Sequence, residues 1–339
     1  MRHFHGRFRL TLIHGVVLVA LAEGCRGTPK ETFSRPPRLD EVRSWAIQLQ
    51  GIEKEGAVEA IERATVDMVV LEPMRSVRGR ESFPMKSVVA RARGSRKLCL
   101  AYLNVGQAED YRTYWGAQWR APTREKRGHP GFLLSVDPDQ WAGNYPVAYW
   151  DIRWRAVLFG SADAMLDRIL ADGFDGAYLD WVLGYAEPSV AAAARRAGVE
   201  PARAMAELIR DLRVYARKKR PGFLIVAQNG ADLGHRVPEY YGYIDAVAHE
   251  DLSFRGKATD DWDDPESADS PTDEAASRAL AKQLGQFRLR GLPVFTLDYC
   301  IDPRNTAAAT KRSRDAGFIP CISRTPLDRI PRAGDARAR

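Results

Sequence analysis

Gly173-Phe174-Asp175-Gly176-Ala177-Tyr178-Leu179-Asp180-Trp181 is a turn followed by a short strand that ends on a carboxylate. Seven other apolar runs of strand length surround it: Trp45 to Leu49, Met68 to Leu71, Leu98 to Asn104, Phe223 to Ala227, Ala246 to Ala248, Pro293 to Leu297, and Phe318 to Ile322. Several of these also stop at a polar group: Glu72, Asn104, Asp180, Gln228 with Asn229, Glu250 with Asp251, and Asp298. Eight such strands alternating with helical stretches predict an α/β fold, a single-domain (β/α)8 TIM barrel, whose chemistry sits on the C-terminal rim of the strands.

The helical stretches fall where that fold needs them. Arg153 to Asp172 has helical apolar spacing and stops at Gly173, which predicts one helix. Pro188 to Lys219 reads as two helices broken near Gly198 to Pro201; Thr272 to Arg290 and Asn305 to Ala316 supply later units. Two insertions are longer than a barrel requires. Val105 to Ile152, after the third strand, holds Trp115, Trp119, Trp141 and Trp150; Ala258 to Glu274, after the sixth, is strongly acidic. Loops of this length in a compact domain are usually functional. The expected organisation is a leader over 1–24, a tether over 25–37, the barrel over 38–324 and a flexible basic tail over 325–339.

The leader carries Arg2, Arg7 and Arg9, then apolar residues Leu10 to Leu21 broken by His14 and Gly15. It is too short to span a bilayer and reads as a secretory signal, so the chain is expected to be secreted or anchored to the bacterial cell envelope. Leu21-Ala22-Glu23-Gly24-Cys25 approximates a lipobox, making Cys25 a candidate for lipidation and the one expected route to a membrane. A net charge of +7 over 339 residues, with no clustered basic face, argues against a nucleic-acid partner. Cys99, Cys300 and Cys321 are expected to be buried fillers, with a Cys300–Cys321 disulfide as the alternative. No phosphate-cradling glycine loop, Gly-x-Ser-x-Gly elbow or paired CxxC occurs, so no cofactor or metal is expected, His249 is read as structural, and the chain as a monomer.

Two acids stand out. Strand alternation places Tyr178 and Asp180 on one face, so an inward tyrosine brings the acid into the mouth; the competing role for Asp180 is capping the next helix. At the sixth strand, Glu250 shares its face with the small Ala246 and Ala248, and is preferred over Asp251. Glycoside hydrolysis uses two carboxyl groups flanking the bond, and acids from the fourth and sixth strands can supply them. Asp180 and Glu250 are the catalytic candidates. Substrate-binding candidates are Glu72, Tyr102, Asn104, Glu109, Asp110, Tyr145, Trp150, Tyr178, Gln228, Asn229, Asp251 and Asp298. Aromatic faces beside acids and amides suit a saccharide platform.

Tyr102 to Arg112, Trp141 to Tyr145 with Tyr149 to Asp151, Gly173 to Asp180, Ala227 to Gly230, Glu250 to Leu252 and Gly317 to Pro320 together resemble glycoside hydrolase family 114, the endo-α-1,4-polygalactosaminidases. The resemblance implies a TIM barrel with Asp180 and Glu250 as the catalytic acids, acting on an α-1,4-linked galactosamine-rich exopolysaccharide. Asn104 and the acidic loop after Phe254 depart from that pattern. A non-catalytic barrel that only binds extracellular polysaccharide is the alternative; a metal-dependent deacetylase lacks the histidines it needs.

Overall fold

The computed structural model describes residues 37–331, which belong to one compact unit. The leader, Cys25 and the tether up to residue 36 lie outside the described residues.

Eight parallel strands form one sheet in sequence order: β1 (Trp45–Gln48), β2 (Met68–Leu71), β3 (Leu98–Asn104), β4 (Gly176–Asp180), β5 (Leu224–Gln228), β6 (Ala246–Glu250), β7 (Val294–Tyr299) and β8 (Ile319–Ser323). The sheet curls until its first and last strands meet, and the Trp45 indole N–H donates to the Ile319 carbonyl at 3.0 Å. This is the predicted TIM barrel. Alternation along each strand divides the apolar residues into two layers. Trp45, Ile47, Met68, Val70, Leu100, Tyr102, Tyr178, Val226, Ala248, Phe295 and Leu297 fill the lumen. Ala46, Val69, Leu71, Ala101, Leu103, Ala177, Leu179, Ile225, Ala227 and Val247 face the helices. Trp45 packs against Tyr178 and Phe295, with ring centroids 6.0 and 5.7 Å apart, so the barrel has a solid floor rather than a channel.

Two expectations require correction, and a third is decided between its alternatives. Residues 153–172 form two helices, Ile152–Leu158 and Met165–Asp172, separated at Gly160 with φ of +114°. Apolar periodicity continues through the break and conceals it. The segment after Arg324 is not a loose tail as far as residue 331. Leu327, Asp328 and Ile330 are buried, the Leu49 N–H donates to the Leu327 carbonyl at 2.8 Å, and the Gln48 amide donates to the Asp328 carbonyl at 3.0 Å. Cys99, Cys300 and Cys321 are all free and buried, the filler role expected of them, and the alternative Cys300–Cys321 disulfide is not formed.

Both insertions are held down. Gln107–Glu109 pairs antiparallel with Asn144–Pro146, pinning the first insertion at its two ends. The acidic insertion is tied by Phe254–Arg255 against Ser270–Pro271, and by Trp262 packed against the guanidinium groups of Arg324 and Arg329, 4.9 and 4.6 Å from its ring. No helix among the described residues is long and apolar enough to cross a membrane.

Candidate active site

Asp180 ends β4 and Glu250 ends β6, on the lumen faces that Tyr178 and Ala248 establish below them. One strand, β5, lies between them, so the strand axes stand about 10 Å apart and side chains aimed inward close part of that gap. Each carboxylate is oriented by two donors. Asp180 accepts from the Tyr102 hydroxyl at 2.6 Å and from the Trp181 N–H at 2.7 Å. Glu250 accepts from the Asn229 amide at 3.0 Å and the Tyr299 hydroxyl at 2.6 Å.

A shared backbone device builds this rim. The residue following the strand end is left-handed in three successive strands: Trp181, Asn229 and Asp251, with φ of 60°, 65° and 63°. Such a conformation is costly for residues other than glycine and clusters at functional sites. Its effect here is to turn the chain sharply, so that Asn229 reaches across to Glu250 and the Trp181 N–H points back at Asp180. Trp181 also needs room. Gly106 supplies it, because a Cβ there would stand 2.5 Å from the Trp181 carbonyl.

Burial, and then the charge of Glu250, push the Asp180 carboxyl up to about 7; the bonds from Tyr102 and Trp181 oppose the shift. Asp180 therefore feels the charge of Glu250, and near neutral pH it exchanges readily between its protonated and ionised forms. Burial likewise pushes Asp251 up to about 8, with Glu250 and Asp298 adding to it, and leaves its Oδ1 without a partner. His249 is pushed down to about 4 by burial and is neutral. Among the described residues no group of three or more His, Cys, Asp or Glu is arranged to hold a metal.

The remaining candidates separate into those at the mouth and those that support it. Gln228 extends the pairing of Leu179 with Ala227 and lies between the two acids; its amide bonds no described residue. Asp110 accepts from the Tyr145 hydroxyl at 3.0 Å. Tyr178 lies fully buried beneath the acids, its hydroxyl without a partner. Trp150 packs edge-on against Tyr149, and Tyr145 against Trp115.

Four candidates are not free to bind substrate. Glu72 and Glu109 are buried around Arg112, itself wholly buried: Glu72 takes both of its terminal nitrogens, and Glu109 its Nε at 2.7 Å. Asn104 is spent on its own turn, accepting from the Gly106 and Gln107 N–H groups at 3.2 and 2.8 Å. Asp298 lies on the face of β7 turned away from the lumen, as Thr296 does in bonding Ser313 of a helix. It accepts the Ser253 and Phe254 N–H groups at 2.6 and 2.9 Å and so fixes the loop after β6. Two residues escaped the sequence reading. Tyr299 shares the lumen face of Phe295 and Leu297, a parity visible in the sequence, whereas Arg112 gave no such signal.

The profile of glycoside-hydrolase family GH114 matches residues 25–337. The chain belongs to this family and is a glycoside hydrolase. Among its relatives, an uncharacterised protein of Deinococcus radiodurans is 32% identical over 302 residues, covering 89% of this chain and 87% of its own. An uncharacterised protein of Thermotoga maritima is 36% identical over 240 residues, 68% of this chain and 66% of its own. Two solved structures share the fold. The glycoside hydrolase domain of PelA from Pseudomonas aeruginosa is 20% identical, with a TM-score of 0.58 over 85% of this chain and 96% of that one. Aspergillus fumigatus Ega3, solved in complex with galactosamine, is 15% identical, with a TM-score of 0.58 over 88% and 99%.

Proposed function

We propose that this protein is an exported endo-glycosidase that cleaves α-1,4-linked galactosamine-rich polysaccharide, with Asp180 and Glu250 as its two catalytic carboxyl groups. The observation that carries this reading is the pair itself: two acids from separate strands, each held by a tyrosine hydroxyl and one further donor, one of them raised to about 7 by burial and then by the charge of the other. The protonated member delivers its proton to the departing glycosidic oxygen, while the ionised member attacks the anomeric carbon or activates water.

The acids at the rim support a cationic substrate. Asp110 and the ionised member of the catalytic pair place negative charge around the mouth of a chain whose net charge is positive, and it is the local field that draws an ammonium-bearing polymer. Ega3 binding galactosamine points the same way.

Incubation with defined galactosamine, glucosamine and galactose oligomers tests the reading. Wild type is expected to shorten the galactosamine series by internal cuts. Asp180→Asn and Glu250→Gln should each lose at least 10²-fold in kcat while keeping the wild-type circular dichroism spectrum. Unaltered cleavage by either variant removes that residue from the mechanism. For export, Cys25→Ser is expected to shift the protein from the membrane fraction to the medium; retention in the cytoplasm of both forms refutes the leader.

A further inference from the structure

A tyrosine at a protein surface ordinarily keeps its hydroxyl in water and its ring against apolar neighbours. Tyr111 does the reverse. Its hydroxyl donates to Glu109 Oε1 at 2.6 Å, and Glu109 is buried, while the residue as a whole is 38% exposed. Bonded to a buried carboxylate, that end is turned away from water, and burial, then the Glu109 charge, push the hydroxyl well above the usual tyrosine range. What faces solvent is the ring.

The covered side of that ring is firm. The Arg112 guanidinium carbon sits 5.0 Å from the Tyr111 centroid and 6.0 Å from that of Tyr102. Arg112 is itself fixed by Glu72, Glu109 and the Ser76 hydroxyl, the last at 3.0 Å. The Arg78 N–H donates to the Tyr111 carbonyl at 2.9 Å, so the backbone is anchored too. The same cradle touches Tyr102, whose hydroxyl orients Asp180. An exposed aromatic face is thereby held rigidly, linked through Arg112 and Tyr102 to a catalytic carboxylate.

We propose that Tyr111 is a sugar-stacking subsite, its exposed face receiving the C–H surface of a pyranose ring of the polysaccharide next to the scissile bond. A rigid, polarised ring loses little entropy on contact, and a cation behind it leaves the exposed face free for apolar contact. The inference rests on the proposed glycosidase activity and adds to it a residue that binds without taking part in bond cleavage.

The test compares wild type, Tyr111→Phe and Tyr111→Ala on galactosamine oligomers of graded length, or on whichever polysaccharide wild type proves to cleave. Tyr111→Phe keeps the ring and is expected to stay within about twofold of wild-type KM; Tyr111→Ala is expected to raise KM about tenfold, with an unchanged pH profile. Circular dichroism and thermal melting of each variant separate this from misfolding. Equal losses in both variants would assign the effect to the hydroxyl and overturn the proposal, as would an unchanged KM in Tyr111→Ala. Wild type failing on every polysaccharide offered would instead defeat the glycosidase assignment, and this subsite with it.

Discussion

Replacing Tyr102 by phenylalanine removes one oxygen and nothing else, yet it reaches the centre of the proposed chemistry. The lost bond is 2.6 Å long and its acceptor is a carboxylate. Hydrogen bonds to charged groups contribute roughly 1.5–3 kcal/mol, and one pKa unit corresponds to about 1.4 kcal/mol, so the Asp180 pKa should climb by about one to two units. From about 7 it would move to roughly 8–9. The limb of the kcat/KM profile near pH 7 should shift upward by that amount. If the acidic limb moves, Asp180 works as the ionised partner; if the alkaline limb moves, it is the proton donor. Stability supplies a second reading. A carboxyl whose folded pKa is raised loses stability as pH rises, so the variant should match wild type in this respect below pH 7 and fall behind it between about 7 and 9. Profiles of both kinds that superimpose on wild type would refute the argument.

Other expectations concern the support of the site. Arg112→Met leaves Glu72 and Glu109 buried without their cation and should cost about 3–5 kcal/mol in chemical denaturation at pH 7.5. Because burial holds Glu72 above the usual range, that loss should shrink as pH falls toward 5; a loss under 1 kcal/mol, or one independent of pH, would contradict the burial argument. Gly106→Ala forces a methyl to within 2.5 Å of the Trp181 carbonyl, so it should destabilise by about 1–3 kcal/mol and lower kcat through the displaced Trp181 N–H. Wild-type melting and kinetics in this variant would show that the approach of Trp181 is not tight.

The strands were legible because a parallel barrel buries both faces of each one, which leaves compact apolar runs ended by turns. All eight observed strands begin within a residue of the expected run, and β6 and β7 continue two residues beyond it, to Glu250 and Tyr299. Asp180 and Glu250 were legible for a related reason: parity carries an inward residue to the rim. The fates of Glu72 and Glu109 were not. Glu72 ends an apolar run in the manner of a site acid and Glu109 lies shortly after another, and only the position of Arg112 in space, 40 residues from Glu72 along the chain, turns them into structural ions. Asp251 shows the limit of parity from the other side, since its left-handed backbone suspends alternation one residue beyond the strand. The break at Gly160 was hidden because the two short helices continue a single apolar rhythm.

The segment that follows the last strand completes the first. Leu49 and Gln50 find their acceptor only at the Leu327 carbonyl, and Lys54 its counter-ion at Asp328, 2.9 Å away. Synthesis therefore delivers the opening edge of the sheet long before the residues that seal it. A ribosome-bound or partly translocated chain would carry an unclosed ring, and a truncation made at 324 would keep every strand while removing the clasp.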